Sequence, residues 1–405
     1  MGELELRRKV IIAIVSAALL SSAACANDWP QFRGPESNGI STEKGIAKNW
    51  NQSPPKALWN TPLSDKGYAG PSVAGGKVFI IDHKDGQDIV RALDAKTGKD
   101  VWTYSYPDAA PDNYGFSRGT PVVSGGRVYT FGRMGMISCL AAKTGAKIWS
   151  RDICADFKCN KPGWNFAISP VIDGNKVIVC PGAPNASVVA LDKTTGKTIW
   201  QGGGSDLPGY STPVIATIGG KRQYVVFTGV SLIGVDASSG ALLWRQEWKT
   251  QYDINAAAPI VIGNTVFITS GYGHGCGLVE VQGGQTRIKW ENKELMGRFS
   301  SPVLLGGLVY GVGEPGNLVC LDPNTGQTKW KQAGFEFAGL IAVDGVLLVT
   351  EGTTGNLLMV NQSPASYQEL GKFTPLGGQS WTAPIISDGK LIVRNKTNIA
   401  CFSLK

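Results

Sequence analysis

The sequence predicts an all-β chain, an eight-bladed β-propeller of four-stranded antiparallel blades closed by pairing of its N- and C-terminal strands. Three observations predict it. A segment ending in Trp recurs at spacings of 40 to 51 residues, and a two-residue turn rich in Gly comes before each recurrence. The last unit also stops one strand short, while an unmatched strand stands near the beginning of the chain. Composition agrees with many short elements around a sizeable core: of 405 residues 53 are Gly and 22 Pro, with 42% hydrophobic and 17% charged.

In chain order, the first element is a leader. Arg7, Arg8 and Lys9 precede an apolar run from Val10 to Leu20 and the small residues SSAACA, the pattern of a secretory signal peptide over residues 1–26. The run is too short to span a bilayer, so no transmembrane segment is expected. Cleavage after Ala26 places the mature protein in the periplasm or outside the cell; acylation of Cys25 is the alternative. Residues 27–56 form an N-terminal extension, and the propeller occupies 57–405.

The repeats are RALDAKTGKDVW (91–102), SCLAAKTGAKIW (138–149), VALDKTTGKTIW (189–200), IGVDASSGALLW (233–244), VEVQGGQTRIKW (279–290) and VCLDPNTGQTKW (319–330). Ahead of each lies a Pro, a few β-formers, a tight turn such as Gly75-Gly76 or Gly125-Gly126, and another strand. Each unit therefore reads strand, tight turn, strand, variable loop, strand, Asp-x-x-x-Gly turn, and a final strand carrying Trp. Residues 57–63, with Trp59, supply the strand that the last unit lacks, which hides both open edges. Trp59, Trp102, Trp149, Trp200, Trp244, Trp290 and Trp330 are read as wedges between blades, each burying about 150–250 Å².

Seven cysteines remain after cleavage, in a compartment that permits disulfides. Cys154 and Cys159 share one polar loop and are close enough to bridge, whereas Cys139, Cys320 and Cys401 occupy one repeat position and read as core. The formal charge of +8, lowered by one with the leader, is not concentrated in any run of Lys and Arg. An exported chain of this kind makes nucleic acid an unexpected partner, and a monomer is expected.

Connection lengths point to one functional face. First and third turns are short, so the variable connections (82–88, 150–168, 271–277) gather on the opposite rim. On that rim, three residues before each blade's Pro, stand Tyr68, Arg118, Ala167, Tyr210, Ala256, Phe299, Phe337 and Trp381. With Asp253, Asn255, Arg298 and Glu336 they make a channel mouth suited to a planar ligand, a sugar or an extended peptide, or else an aromatic plug. Arg118, Arg298 and Glu336 need ligands or pair with one another. His83 and His274 are expected to be solvated loop residues: they sit four blades apart, and His274 with Cys276 offers too few donors for a metal.

The pattern A-x-D-x-x-x-G-x-x-x-W, complete at Ala92–Trp102 and Ala190–Trp200, resembles the tryptophan-docking repeat of the pyrroloquinoline-quinone (PQQ) propellers. Blade seven, MVNQSPASYQEL, departs from it most. WPQFRGPESNGIS from Trp29 also resembles the mature start of secreted propellers of this kind. The resemblance implies one of two activities. One branch, typified by the outer-membrane assembly lipoprotein BamB, binds protein partners. The other, the quinoprotein alcohol dehydrogenases, holds PQQ with Ca²⁺ between a Trp and a disulfide of adjacent cysteines, with a carboxylate base. Adjacent cysteines and a C-x-x-C-H haem site are missing from the sequence, so a binding or scaffold role without cofactor is expected; a PQQ-dependent dehydrogenase of alcohols or sugars is the alternative.

Overall fold

The computed structural model describes residues 27–64, 66–159 and 161–405; the leader expected over residues 1–26, with Cys25, lies outside them. Eight sheets of four antiparallel blade strands follow one another along the chain, the first seven with those strands in sequence order. Blades one to seven cover residues 72–107, 122–152, 171–202, 214–247, 260–292, 303–333 and 339–373. The eighth combines Ile385–Ser387, Lys390–Arg394 and Asn398–Ser403 with Ala57–Pro62 from the other end of the chain, in register from Ala57 against Phe402 to Pro62 against Asn398. The ring is sealed head to tail. Among the described residues one short helix occurs, Ile153–Phe157, and no helix is long and apolar enough to cross a membrane.

The inner hairpins owe their register to the two-residue turns. Gly75 and Gly76 have φ of +57° and +73°, the left-handed pair that lets Ala74 face Lys77 across the turn. At the third turn, the Asp94 carboxylate accepts from the backbone N–H of Lys96 (3.0 Å) and Thr97 (2.9 Å), and Asp192 and Asp236 repeat the arrangement. The outer strand then begins with a β-bulge in every blade. In blade one Leu93 pairs with Asp100 and Ala92 with Trp102, so Val101 is the extra residue and turns outward while the indole turns in.

That indole reaches the next blade. Nε1 of Trp59, Trp102, Trp149, Trp290 and Trp330 donates to the carbonyls of Ala95, Ala142, Lys193, Pro323 and Ser363 at 3.1, 3.1, 3.1, 3.0 and 2.7 Å. The ring also lies on the Gly of the next turn: a Cβ on Gly145 would stand 2.5 Å from Trp102. The Gly of each Asp-x-x-x-Gly turn thus serves both its own positive φ and its neighbour's Trp.

Two repeats break the rule, each for a visible reason. Blade five closes its third turn with Gly283 and Gly284 alone, offering no Asp-x-x-x-Gly platform, so Trp244 stays on its own blade over Gly234 and donates to Gln223 Oε1 at 2.6 Å. Trp200 keeps its Gly platform, Gly240, without a hydrogen bond from Nε1. Blade seven has Gly371 where Trp is expected, and its third connection runs from Asn361 to Glu369, longer than the short third turns expected everywhere. Trp50 of the N-terminal extension fills the gap. It is 1% exposed, lies against Gly371 and meets Phe373 edge-on at 5.1 Å, between blades seven and eight.

Cys154 and Cys159 are bonded, and Cys139, Cys180, Cys276, Cys320 and Cys401 are buried free thiols.

Candidate functional site: an aromatic well on the loop-bearing face

Residues 28–48 run across the face of the tight turns. Asp28 accepts from Gly75 N at blade one, Gly45 N and Lys48 Nζ donate to Asp344 at blade seven, and Glu43 accepts from Gly389 N at blade eight. Between these anchors the chain crosses the axis. Trp29 exchanges backbone hydrogen bonds with Val73, Pro30 accepts from Val123, Arg33 donates to Pro302 O at 2.7 Å, and Ile40–Ser41 adds a parallel strand to Ala342–Val343. The central channel is therefore a blind well. It encloses about 590 Å³, is floored by Trp29, Phe32, Arg33 and Gly39, and opens on the loop-bearing face.

The mouth is ringed by side chains in contact. Tyr68 stacks on Trp381 at 4.8 Å, Trp381 meets Phe337 at 4.7 Å and Phe299 at 5.7 Å, and Arg298 lies over Phe337 (5.4 Å) and Tyr272 (4.6 Å). From Tyr272 the circle continues through Tyr252 (5.3 Å) and Trp164 (6.1 Å) to Tyr210 (6.4 Å). Arg118 occupies the arc between Tyr210 and Tyr68. Burial holds the Tyr68, Tyr210 and Tyr272 hydroxyls above their ordinary range, so the phenols are neutral donors at physiological pH.

The two mouth arginines differ in company. Arg298 donates from Nε to Glu314 Oε1 at 2.7 Å and from Nη2 at 2.5 Å, a partnered cation that serves as wall. Arg118 has no ion pair among the described residues. Its Nη2 donates to the carbonyls of Asn113, Tyr114 and Gly115, its Nη1 has no partner, and Asp112 acts on it only from beyond ion-pair distance. Burial without a counter-charge pushes the Arg118 guanidinium down to about 10, as it does that of Arg33 on the floor.

The loop that carries Arg118 is clamped from behind. Buried Arg133 forks onto Asp108 (2.7 and 3.0 Å) and donates to the carbonyls of Ala110 and Pro111. His83 stacks on Phe116 at 3.8 Å and meets Asp88 at 3.0 Å, and Asp88 also accepts from Tyr106 and Ser117. His83 is thus 6% exposed at the end of the strand Lys77–Lys84, and the expectation of a solvated loop histidine is corrected: Asp88 of the paired strand and Phe116 and Asp108 of the next connection close over it. Donor atoms of His83, Asp88 and Asp108 lie within 4.8 Å of one another, but the guanidinium of Arg133 already holds the place of a cation beside Asp108. His274 is partly buried against Trp248 at 4.4 Å, and Cys276 is buried on Asn292.

Of the residues expected at the mouth, Tyr68, Arg118, Tyr210, Arg298, Phe299, Phe337 and Trp381 line the well. Asn255 does not. Its amide is fully buried, donating to the carbonyls of Thr228 (2.9 Å), Gly229 and Trp248 (3.2 Å each) and accepting from Ser270 at 2.7 Å, so it ties two connections together. Asp253 is exposed on a turn with φ of +55°, outside the lining. Glu336 faces a neighbouring cavity of about 140 Å³ with Glu314 and Pro315, and Arg298 pairs with Glu314 instead. Sequence reasoning missed Tyr114, Trp164, Tyr252 and Tyr272, all on connections long enough to reach the rim, and the floor residues, which carry no repeat signature.

A family model described as outer membrane protein assembly factor BamB matches residues 40–113 and 86–332. The chain is 23% identical to BamB of Yersinia pestis over 97% of this chain and 98% of that protein, and 24% identical to BamB of Escherichia coli (strain K12) over 85% and 97%. Among solved structures, BamB from Moraxella catarrhalis superposes with a TM-score of 0.63 at 18% identity, covering 86% of this chain and 99% of that one. Quinohemoprotein alcohol dehydrogenase from Comamonas testosteroni gives 0.70 at 14% identity, covering 95% and 81%. At these identities the structural likeness is one of fold. With most of its length matched by the family model, the chain belongs to the BamB family of PQQ-like β-propellers.

Proposed function

We propose that this protein is a non-catalytic scaffold in the assembly of outer-membrane proteins, holding a protein partner against its loop-bearing face. The observation that carries the reading is the aromatic circle round the well, whose outer members are left in solvent: Tyr114 is 70% exposed, Tyr252 49% and Phe299 42%. Exposed aromatics clustered on one rim of a rigid ring are what a partner covers. The relatives named as outer membrane protein assembly factors support the process. Export to the periplasm, by cleavage after Ala26 or with a lipid on Cys25, belongs to the same reading.

The dehydrogenase alternative asks the well for a carboxylate base and oxygen ligands to Ca²⁺ beside the quinone. Among the described residues no Asp or Glu lines it, and the Cys154–Cys159 bond belongs to the connection after blade two, away from the lining. The donor set does not fit that group. The test is genetic: deletion should lower the amount of outer-membrane barrel proteins, wild type should restore it, and a Tyr114→Ser/Tyr252→Ser/Phe299→Ser variant should not. Normal barrel levels without the protein, or full rescue by the triple variant, would refute the proposal.

A further inference from the structure

We propose that the well takes the carboxylate of an extended polypeptide, seated on Arg118, with an apolar or aromatic side chain against the wall of Tyr68, Trp381 and Phe337. The inference rests on the scaffold reading and names what part of the partner enters the well.

Charge comes first. Among the described residues the lining carries Arg33, Arg118 and Arg298 and no acid, and of the three only Arg298 has a described carboxylate partner. Arg33 donates from Nε and Nη2 to the carbonyls of Ser37, Asn38 and Pro302, which fixes the floor, whereas Arg118 stands at the mouth with its Nη1 buried and without a partner. A buried donor without a partner is destabilising, the more so when charged, and a bound carboxylate removes that cost. Arg118 is also held in place, because Asp108 and Ser117 of its loop are fixed to Arg133 and Asp88. A fork that keeps its position before binding loses little entropy on binding.

Shape comes second. Arg118 is the cation of the circle without an ion pair among the described residues, set between Tyr210 and Tyr68, so a carboxylate there places its neighbouring group against Tyr68 and the stacked Trp381. The well is blind, so a chain that enters must stop at residues 29–39. The rim argues for a chain over a small molecule: Tyr114 and Tyr252 line the mouth yet keep 70% and 49% of their surface in solvent, and a polypeptide leaving the mouth crosses those outer faces.

The carboxylate has two sources, a C-terminus or an Asp or Glu side chain, and three dye-labelled peptides separate them. They are Gly-Ser-Gly-Val-Tyr as the free acid, the same peptide as the C-terminal amide, and Gly-Ser-Glu-Val-Tyr as the amide, titrated by fluorescence anisotropy with the purified chain. The expected result is binding of the free acid or of the Glu peptide at least tenfold tighter than of the neutral amide. Arg118→Gln should abolish the preference and Arg118→Lys should keep part of it. Ala256→Trp, which fills the opposite wall and leaves Arg118 in place, should block all three peptides; unchanged circular dichroism shows that each variant is folded. Equal affinity for charged and neutral peptides, a preference that survives Arg118→Gln, or binding that survives Ala256→Trp would overturn the inference. Absence of peptide binding together with failed rescue by the rim triple variant would overturn it and leave the scaffold reading standing.

Discussion

Replacing Gly145 by Ala isolates the contact that ties one blade to the next. Gly145 and Gly126 sit in the same blade with φ of +74° and +73°, so Ala at either meets the same backbone strain of roughly 1–2 kcal/mol. Their surroundings differ. Nothing lies within 4 Å of a Cβ on Gly126, whereas one on Gly145 stands 2.5 Å from Trp102 Cε3 and 2.7 Å from Cδ2. The indole must move, at an overpacking cost of about 1–3 kcal/mol. Its 3.1 Å hydrogen bond to Ala142 O, worth roughly 1 kcal/mol, is lost with it. Urea unfolding followed by tryptophan fluorescence should show Gly126→Ala destabilised by about 1–2 kcal/mol and Gly145→Ala by about 3–6. Equal losses would mean that the indole contact contributes nothing and would refute the account of the Trp series.

Three further outcomes follow from the packing. Trp50→Ala should cost about 3–5 kcal/mol in urea unfolding, since it empties the wedge beside Gly371; a loss below about 1 kcal/mol would show the extension to be ornamental. Arg133→Met should cost about 3–5 kcal/mol by stranding buried Asp108, and Arg133→Met with Asp108→Leu should recover much of it, measured by the same unfolding. Burial pushes the thiols of Cys180, Cys276 and Cys401 up to about 12 and that of Cys139 to about 11, so mass mapping after iodoacetamide at pH 8 should find them unmodified until urea is added. The unfolded thiols ionise near 9.0 and the folded ones later, so their contribution to stability is complete below pH 9 and is lost as pH rises towards about 12. Unfolding midpoints that stay level from pH 9 to 11 would contradict this.

The ring was legible because its signals are local. A two-residue Gly turn, an Asp that caps its own turn and an alternating strand each act within ten residues, and repetition multiplies them. The mouth residues were legible for the same reason, since a fixed offset from the blade's Pro finds Tyr68, Arg118, Tyr210 and Trp381. What escaped depends on contacts distant in sequence. Trp50 completes a blade that begins about 290 residues later, a relation no periodicity contains. Residues 29–41 close the channel largely through backbone hydrogen bonds, which carry little sequence signal, with Arg33 reaching Pro302 O across 269 residues. Asn255 was misread because an amide beside the mouth and an amide turned inward look alike in sequence; its three backbone acceptors decide between them. Arg298 found Glu314 because that residue's loop reaches back over blade five, where Tyr272 and Gly273 donate to the same carboxylate at 3.0 and 3.1 Å.

The central claim is that partners meet the aromatic mouth and leave the tight-turn face free. Photo-crosslinking in cells tests it most directly, with p-benzoylphenylalanine placed singly at Tyr114 and Tyr252 on the mouth and at Lys96 and Lys143 on the opposite turns. Adducts with outer-membrane assembly proteins are expected from the first pair, lost on Arg118→Gln with Phe299→Ser, and none from the second; adducts confined to the turns would refute a mouth-facing partner.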